Sequence, residues 1–125
     1  MIYTDAGDDK SNYRLEYYAT ESGACPTQEL LNPMPYKHVA KAQKFFMLLE
    51  TAGPNLPRPY ADSLGGKIRE LIVDIQHHGY RFLHFYSDKT IVITRGFLKK
   101  TQRTPPREIE RAERAMISWL RRNQP

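Results

Sequence analysis

The sequence predicts one α+β domain: a small antiparallel sheet, two N-terminal helices on one of its faces, and a helix at the C-terminus. Three observations carry that prediction. Between Ile68 and Phe97, three apolar stretches rich in β-branched and aromatic residues are separated by short turn-forming segments, the pattern of a meander. Helical periodicity occupies two longer stretches, one on each side of that region. A length of 125 residues fits a single apolar core and leaves little room for a second.

Taken in order, residues 1–12 are polar and acidic without periodicity and are expected to form a flexible lead-in to a domain covering residues 13–125. From Tyr13 the chain alternates, with Tyr13, Leu15 and Tyr17 on one side and Arg14, Glu16 and Tyr18 on the other, which predicts a strand. Gly23 ends it, and Pro26 opens a short helix through Leu31 that Pro33 and Pro35 close. A longer helix is predicted from Tyr36 to Thr51, burying Val39, Ala42, Phe46 and Leu49, with His38 on its surface. Gly53 and Pro54 stop it, and Pro54 to Asp62 reads as a surface loop. Strands then follow around Ile68 to Ile75, Tyr80 to Tyr86 and Thr90 to Phe97. The first turn falls at His77-His78-Gly79, with Gly79 supplying a positive φ, and the second at Ser87-Asp88-Lys89. Thr104 is the expected N-cap of the last helix, with Pro105 at its first position and Ile109, Ala112, Met116, Trp119 and Leu120 as its buried stripe. The predicted order is β-α-α-β-β-β-α.

Charge is unevenly distributed. Residues 1–62 carry 6 Lys/Arg against 8 Asp/Glu, net −2, and residues 63–125 carry 13 against 6, net +7; together they give the +5 of the whole chain. A basic C-terminal half suggests a polyanionic partner, nucleic acid being the commonest, although a solvated basic surface has the same composition. The single cysteine, Cys25, excludes an internal disulfide and suggests a reducing compartment. Neither a secretory leader nor an apolar run of membrane-spanning length is visible, so a cytoplasmic protein without membrane contact is expected.

Several chemistries lack their residues. Gly65-Gly66-Lys67 has neither the upstream glycine nor the hydroxyl residue of a phosphate loop. No Gly-x-Ser-x-Gly elbow occurs. His77 and His78 are adjacent but find no third ligand at convincing spacing, so neither a metal nor another cofactor is expected.

Tyr17-Tyr18-Ala19-Thr20-Glu21-Ser22-Gly23, then Gly53-Pro54-Asn55-Leu56, Ile68-Arg69-Glu70-Leu71 and Tyr80-Arg81-Phe82-Leu83 occur in an order that resembles HigB-like toxins of the RelE/ParE superfamily. The resemblance is to their phage-derived Gp49-like branch in particular. Its most specific piece is Gly96-Phe97-Leu98-Lys99-Lys100-Thr101-Gln102-Arg103-Thr104-Pro105, and it spans about residues 13–122. It implies a RelE-like fold and a type II toxin that cuts translated messenger RNA on the ribosome, touching 16S ribosomal RNA, with a HigA-like helix-turn-helix antitoxin as partner. Arg81 matches the strand arginine at the scissile phosphate, Arg69 a basic position on the preceding strand, and Lys99 with Lys100 the family's paired lysines. Two departures stand out: the position of Arg95 is often histidine in relatives, and that of His84 is usually aromatic.

Metal-independent cleavage uses the ribose 2′-hydroxyl as nucleophile, so the protein must align the attack and stabilise charge growing on phosphorus. Arginine suits this because its planar fork grips two phosphate oxygens. The expected catalytic residues are therefore Arg81, Arg69 and Arg95, with Arg69 and Arg81 converging at one end of the sheet. Lys99, Lys100, Arg103 and Lys67 are expected to hold the RNA backbone. His84 and His78 are the candidate acid–base residues, each with a plainer role as core or turn. Two other classes fit the same scaffold: a ParE-like gyrase poison that cuts nothing, and a phage-derived basic binding protein.

Overall fold

A computed structural model describes residues 12–124; the lead-in lies outside the described residues apart from Asn12, whose backbone donates to Glu50. The elements are β1 (Arg14–Tyr17), α1 (Pro26–Leu31), α2 (Tyr36–Ala52), β2 (Ala61–Ser63), β3 (Arg69–Ile75), β4 (His78–Ser87), β5 (Thr90–Leu98) and α3 (Pro106–Arg122). They build one five-stranded sheet in the order β1-β5-β4-β3-β2. The α+β class and the central antiparallel meander are as the sequence predicts. Two features differ. Part of the expected Pro54–Asp62 loop is a short edge strand, β2, antiparallel to β3. And β1 pairs with β5 in parallel, so the sheet is mixed.

Helices pack on both faces. On one, Leu31, Ala42, Phe46 and Leu49 of α1 and α2 pack against Leu71, Val73, Tyr80, Phe82, Ile91 and Ile93. On the other, α3 lays Ala112, Met116, Trp119 and Leu120 over Ile68, Leu83, Phe85 and Val92. The α2 stripe is therefore largely the predicted one, but His38 is buried rather than on the surface: its Nδ1 lies 2.6 Å from Tyr80 Oη and its Nε2 3.3 Å from Gln76 Oε1. Both ring nitrogens have partners, which is what admits an imidazole to a core.

Turn chemistry departs from expectation in two places. The β3–β4 turn is Gln76-His77, with φ of 48° and 68°, the double positive φ that matches hairpin twist. Gly79 lies inside β4 opposite Asp74, where an added Cβ would stand 3.2 Å from Asp74 Oδ1 and 3.4 Å from an Arg81 guanidinium nitrogen. The glycine gives the arginine room. At α3 the N-cap is Pro105, one residue beyond the predicted Thr104, whose hydroxyl instead donates to the buried carboxylate of Glu70 at 2.6 Å. A buried carboxylate left without a donor costs more than an uncapped helix end on the surface.

One irregularity decides the site. Opposite Leu83 stands Arg95, but opposite His84 stands Ile93, so Thr94 is an extra residue in β5. Its hydroxyl donates to Leu83 O at 3.0 Å. Such a bulge turns every later side chain of the strand to the other face. Ile91 and Ile93 face α2, while Arg95 and Phe97, of the same parity, face the α3 side.

Candidate nucleic-acid cleft

On the α3-side face, the strands carry Glu70, Ile72 and Asp74 from β3, Gly79, Arg81 and Leu83 from β4, and Arg95 and Phe97 from β5. α3 covers only part of this surface. The Lys99 amide donates to Gly79 O at 2.7 Å, which continues the ladder and sets Lys99 diagonal to Arg81 on the same face. The Thr94 bulge thus brings Arg95 and Lys99 to the side of Arg81. Simple alternation from Ile91 would have put them under α2.

Each arginine is held by an acid. Arg81 Nη1 donates to Asp74 Oδ1 at 2.8 Å and to Tyr80 O at 2.9 Å, while its buried Nε has no partner. Its side chain is 12% exposed, against 65% for Asp74. Arg95 Nε lies 2.8 Å from Glu108 Oε1, an ion pair in which the N–H is not aligned on the oxygen, and Arg111 stands 3.8 Å from the other carboxylate oxygen. Glu108 is thereby an anchor of α3 to the sheet.

Beside this face lies a cleft of about 680 Å³, running between β2, β3, the 99–105 loop and the start of α3. Arg58, Lys99 and Arg103 line it, and the Glu70–Thr104 bond forms part of its wall and ties the loop to β3. Lys100, next to Lys99, is exposed and does not line it. Among the described residues no group of three or more His, Cys, Asp or Glu is placed to hold a metal ion.

The scan against protein-family models matches residues 29–117 to the family described as "Phage derived protein Gp49-like (DUF891)". The chain belongs to the phage-derived Gp49-like family. That match runs from the second half of α1 to most of α3 and includes the bulge, the basic loop and the arginines of the cleft face. No curated protein matches the chain. Among solved structures the chain is similar to the archaeal RelE-RelB complex from Pyrococcus horikoshii OT3, at 20% identity over 74% of this chain and 99% of that chain, with a TM-score of 0.47.

For this Gp49-like chain the structure rearranges the predicted site. Arg81 and Arg95 share a face, but Arg69 does not join them. Arg69 pairs with His84 and Arg81 with Ile72, three positions apart along β4 and on opposite faces, so the two do not converge. The reason is register: with the turn at Gln76-His77, Arg69 falls in phase with Phe82 and His84. Both candidate acid–base histidines also lie away from Arg81. His84 is fully buried on the α2 side, and burial, outweighing its bond to Phe82 O and helped by the Arg69 charge, lowers its pKa to about 4. The His78 ring stacks on Tyr80 at 6.0 Å and meets His38 edge-on at 4.9 Å, again on the α2 side. Of the RNA-binding candidates, Lys99 and Arg103 line the cleft and Lys67 lies on the far side of the β2–β3 loop. Sequence reading missed Arg58 and the Thr104–Glu70 lock. Only the Arg and the Thr-Pro motif themselves hinted at them.

Proposed function

We propose that this chain is the toxin of a type II toxin–antitoxin pair and cleaves translated messenger RNA on the ribosome, by attack of a ribose 2′-hydroxyl on the adjacent phosphate without a metal. Support comes from membership of the Gp49-like family and from one observation above all: the bulge gathers Arg81, Arg95 and Lys99 on one sheet face beside a cleft lined with further cations. In this reading Arg81 grips the scissile phosphate. Asp74, 65% exposed, holds the largely buried fork through Nη1 and gives way as the phosphate arrives. Arg95 assists from the next strand. Lys99, Arg103 and Arg58 hold the flanking backbone in the cytoplasm's ribosomal setting, where contacts to 16S ribosomal RNA complete the site. Preorganised donors of this kind act where charge grows in the transition state and need little rearrangement. A HigA-like antitoxin would act by covering the cleft.

The test is induction in growing cells, with 5′ ends mapped on a translated message and on an untranslated copy. Cleavage of the translated message alone, lost in Arg81→Ala, supports the reading. Growth arrest with intact messages sinks it and favours a gyrase poison; harmless expression favours a basic binding protein.

A further inference from the structure

A second basic pocket, of about 350 Å³, opens on the other side of the β2–β3 loop, lined by Pro54, Gly66, Lys67, Arg69 and Tyr86. Its polar side chains are all donors. Arg69 Nε and Tyr86 Oη are buried and have no hydrogen-bond partner, and neither Lys67 nor Arg69 has an ion-pair partner among the described residues. This is the reverse of the cleft face, where acids hold Arg81 and Arg95. Burial pushes the Tyr86 hydroxyl up to about 12, against the nearby Arg69 charge, so it keeps its proton and remains a donor. Behind it, His84 is neutral and contributes no charge. Nothing lies within 4 Å of where a Gly66 Cβ would stand, so the backbone at this point is open to a ligand. A pocket walled by a guanidinium, an ammonium and a phenol, with no acid in its lining, suits an oxyanion.

Its position selects the source. Leu64 lines the cleft while Gly66 and Lys67 line the pocket, so one loop of a few residues separates the two cavities. A chain of phosphates is the oxyanion that fills both. We propose that the Lys67–Arg69–Tyr86 pocket is a second phosphate subsite, taking a phosphodiester group of the single-stranded RNA whose neighbouring nucleotides occupy the cleft. This rests on the RNA-binding part of the function proposed above and adds to it a strand path over the β2–β3 loop to the opposite face of the sheet.

The probe is a fluorescent, non-cleavable 2′-O-methyl RNA decamer, with binding to the full chain followed by anisotropy across a salt series. Loss of one phosphate contact lowers the slope of log affinity on log salt by about 0.7 for a single strand. Lys67→Gln is expected to show that loss and to weaken binding several-fold. Tyr86→Phe removes a neutral donor and is expected to weaken binding with the slope unchanged. Lys67 is exposed and Tyr86→Phe keeps its ring, so both variants report on binding in a folded protein. Wild-type affinity and slope in both variants, or no binding by the wild type, overturns the subsite. So does a hexaglutamate peptide that shifts the Gly66 and Lys67 amide signals when RNA leaves them unmoved, which assigns the pocket to an acidic protein partner. If messages stay intact in cells but Lys67→Gln still loses slope, RNA cleavage falls and the subsite stands. If cleavage depends on Arg81 and Lys67→Gln binds as wild type, the subsite alone falls.

Discussion

The two faces of the sheet make opposite use of arginine. On the α3 side, Arg81 and Arg95 each meet a carboxylate at 2.8 Å, and Gly79 leaves space for the first of these pairs. On the α2 side, Arg69 lies beside a fully buried neutral histidine and a protonated tyrosine and has no carboxylate partner among the described residues. The packing follows the same division. The α2 face carries the larger apolar cluster, whereas α3 covers only part of its face and leaves the remainder to charged side chains. Arg81, held by the exposed Asp74, is oriented yet still exchangeable, because a phosphate can displace a partner that water already solvates, whereas Arg95 is fixed by the buried Glu108. The difference between the faces is thus one of preorganisation as much as charge.

The most direct way to break the comparison is to remove one arginine from each face. Arg81→Ala is expected to lower the rate of message cleavage by roughly 10²–10³-fold, the usual cost of one transition-state donor. Single-turnover kinetics on programmed ribosomes, with the variant at saturation, measures this directly. Arg69→Gln should cost far less in rate, since it lies on the face opposite Arg81, away from the proposed position of the scissile phosphate. Equal losses in the two variants would mean that the faces are not functionally distinct.

The buried histidine offers a second test, by pH. Its folded pKa is about 4, below the unfolded value near 6.5, so the unfolded chain binds the proton first. Stability from this group is therefore complete above about pH 6.5 and is lost as pH falls toward 4, at up to about 1.4 kcal/mol per pH unit. Urea denaturation between pH 7 and 4.5 should show that slope, and His84→Phe should flatten it. An unchanged slope in the variant would assign the acid sensitivity to carboxylates instead.

Much of this architecture is legible in the sequence, and the parts that are not share a cause. Periodicity finds the strands and helices because burial on one face imposes it, as with Ala42, Phe46 and Leu49 or Ala112, Met116 and Trp119. Parallel pairing of β1 with β5 is hidden, since those segments are more than seventy residues apart and nothing local records the contact. The bulge is hidden for a different reason. Thr94 is an ordinary strand residue, and Ile91, Ile93, Arg95 and Phe97 alternate as if the strand were regular. One extra residue moves Arg95 and Lys99 to the face of Arg81, while a turn one position earlier than expected takes Arg69 away. The sequence shows which residue types are present; the face each one takes depends on two single-residue shifts.

The lock between Thr104 and Glu70 links the faces to the loop. Thr104→Val keeps the side-chain shape but leaves a buried carboxylate without its donor, at an expected cost of about 1–3 kcal/mol. Chemical denaturation measures the cost. Cleavage should fall as well, because the loop carrying Lys99 and Arg103 loses its tie to β3. A Thr104→Ser variant, which keeps the hydroxyl, should restore both. Stability restored without activity would show that the methyl group, not the hydrogen bond, positions the loop.

The smallest expected effect divides two adjacent lysines. Lys99 is tied by its amide to Gly79, is partly buried and lines the cleft, whereas Lys100 points into solvent. Neutralising a lysine that contacts a phosphate lowers the salt slope of single-strand binding by about 0.7, and neutralising one that does not leaves the slope nearly unchanged. Lys99→Gln should therefore lose slope and several-fold affinity for the 2′-O-methyl decamer, and Lys100→Gln should lose neither. Should both lose slope equally, the basic loop acts through its summed charge, and the alternation that seats Lys99 beside Arg81 has no part in binding RNA.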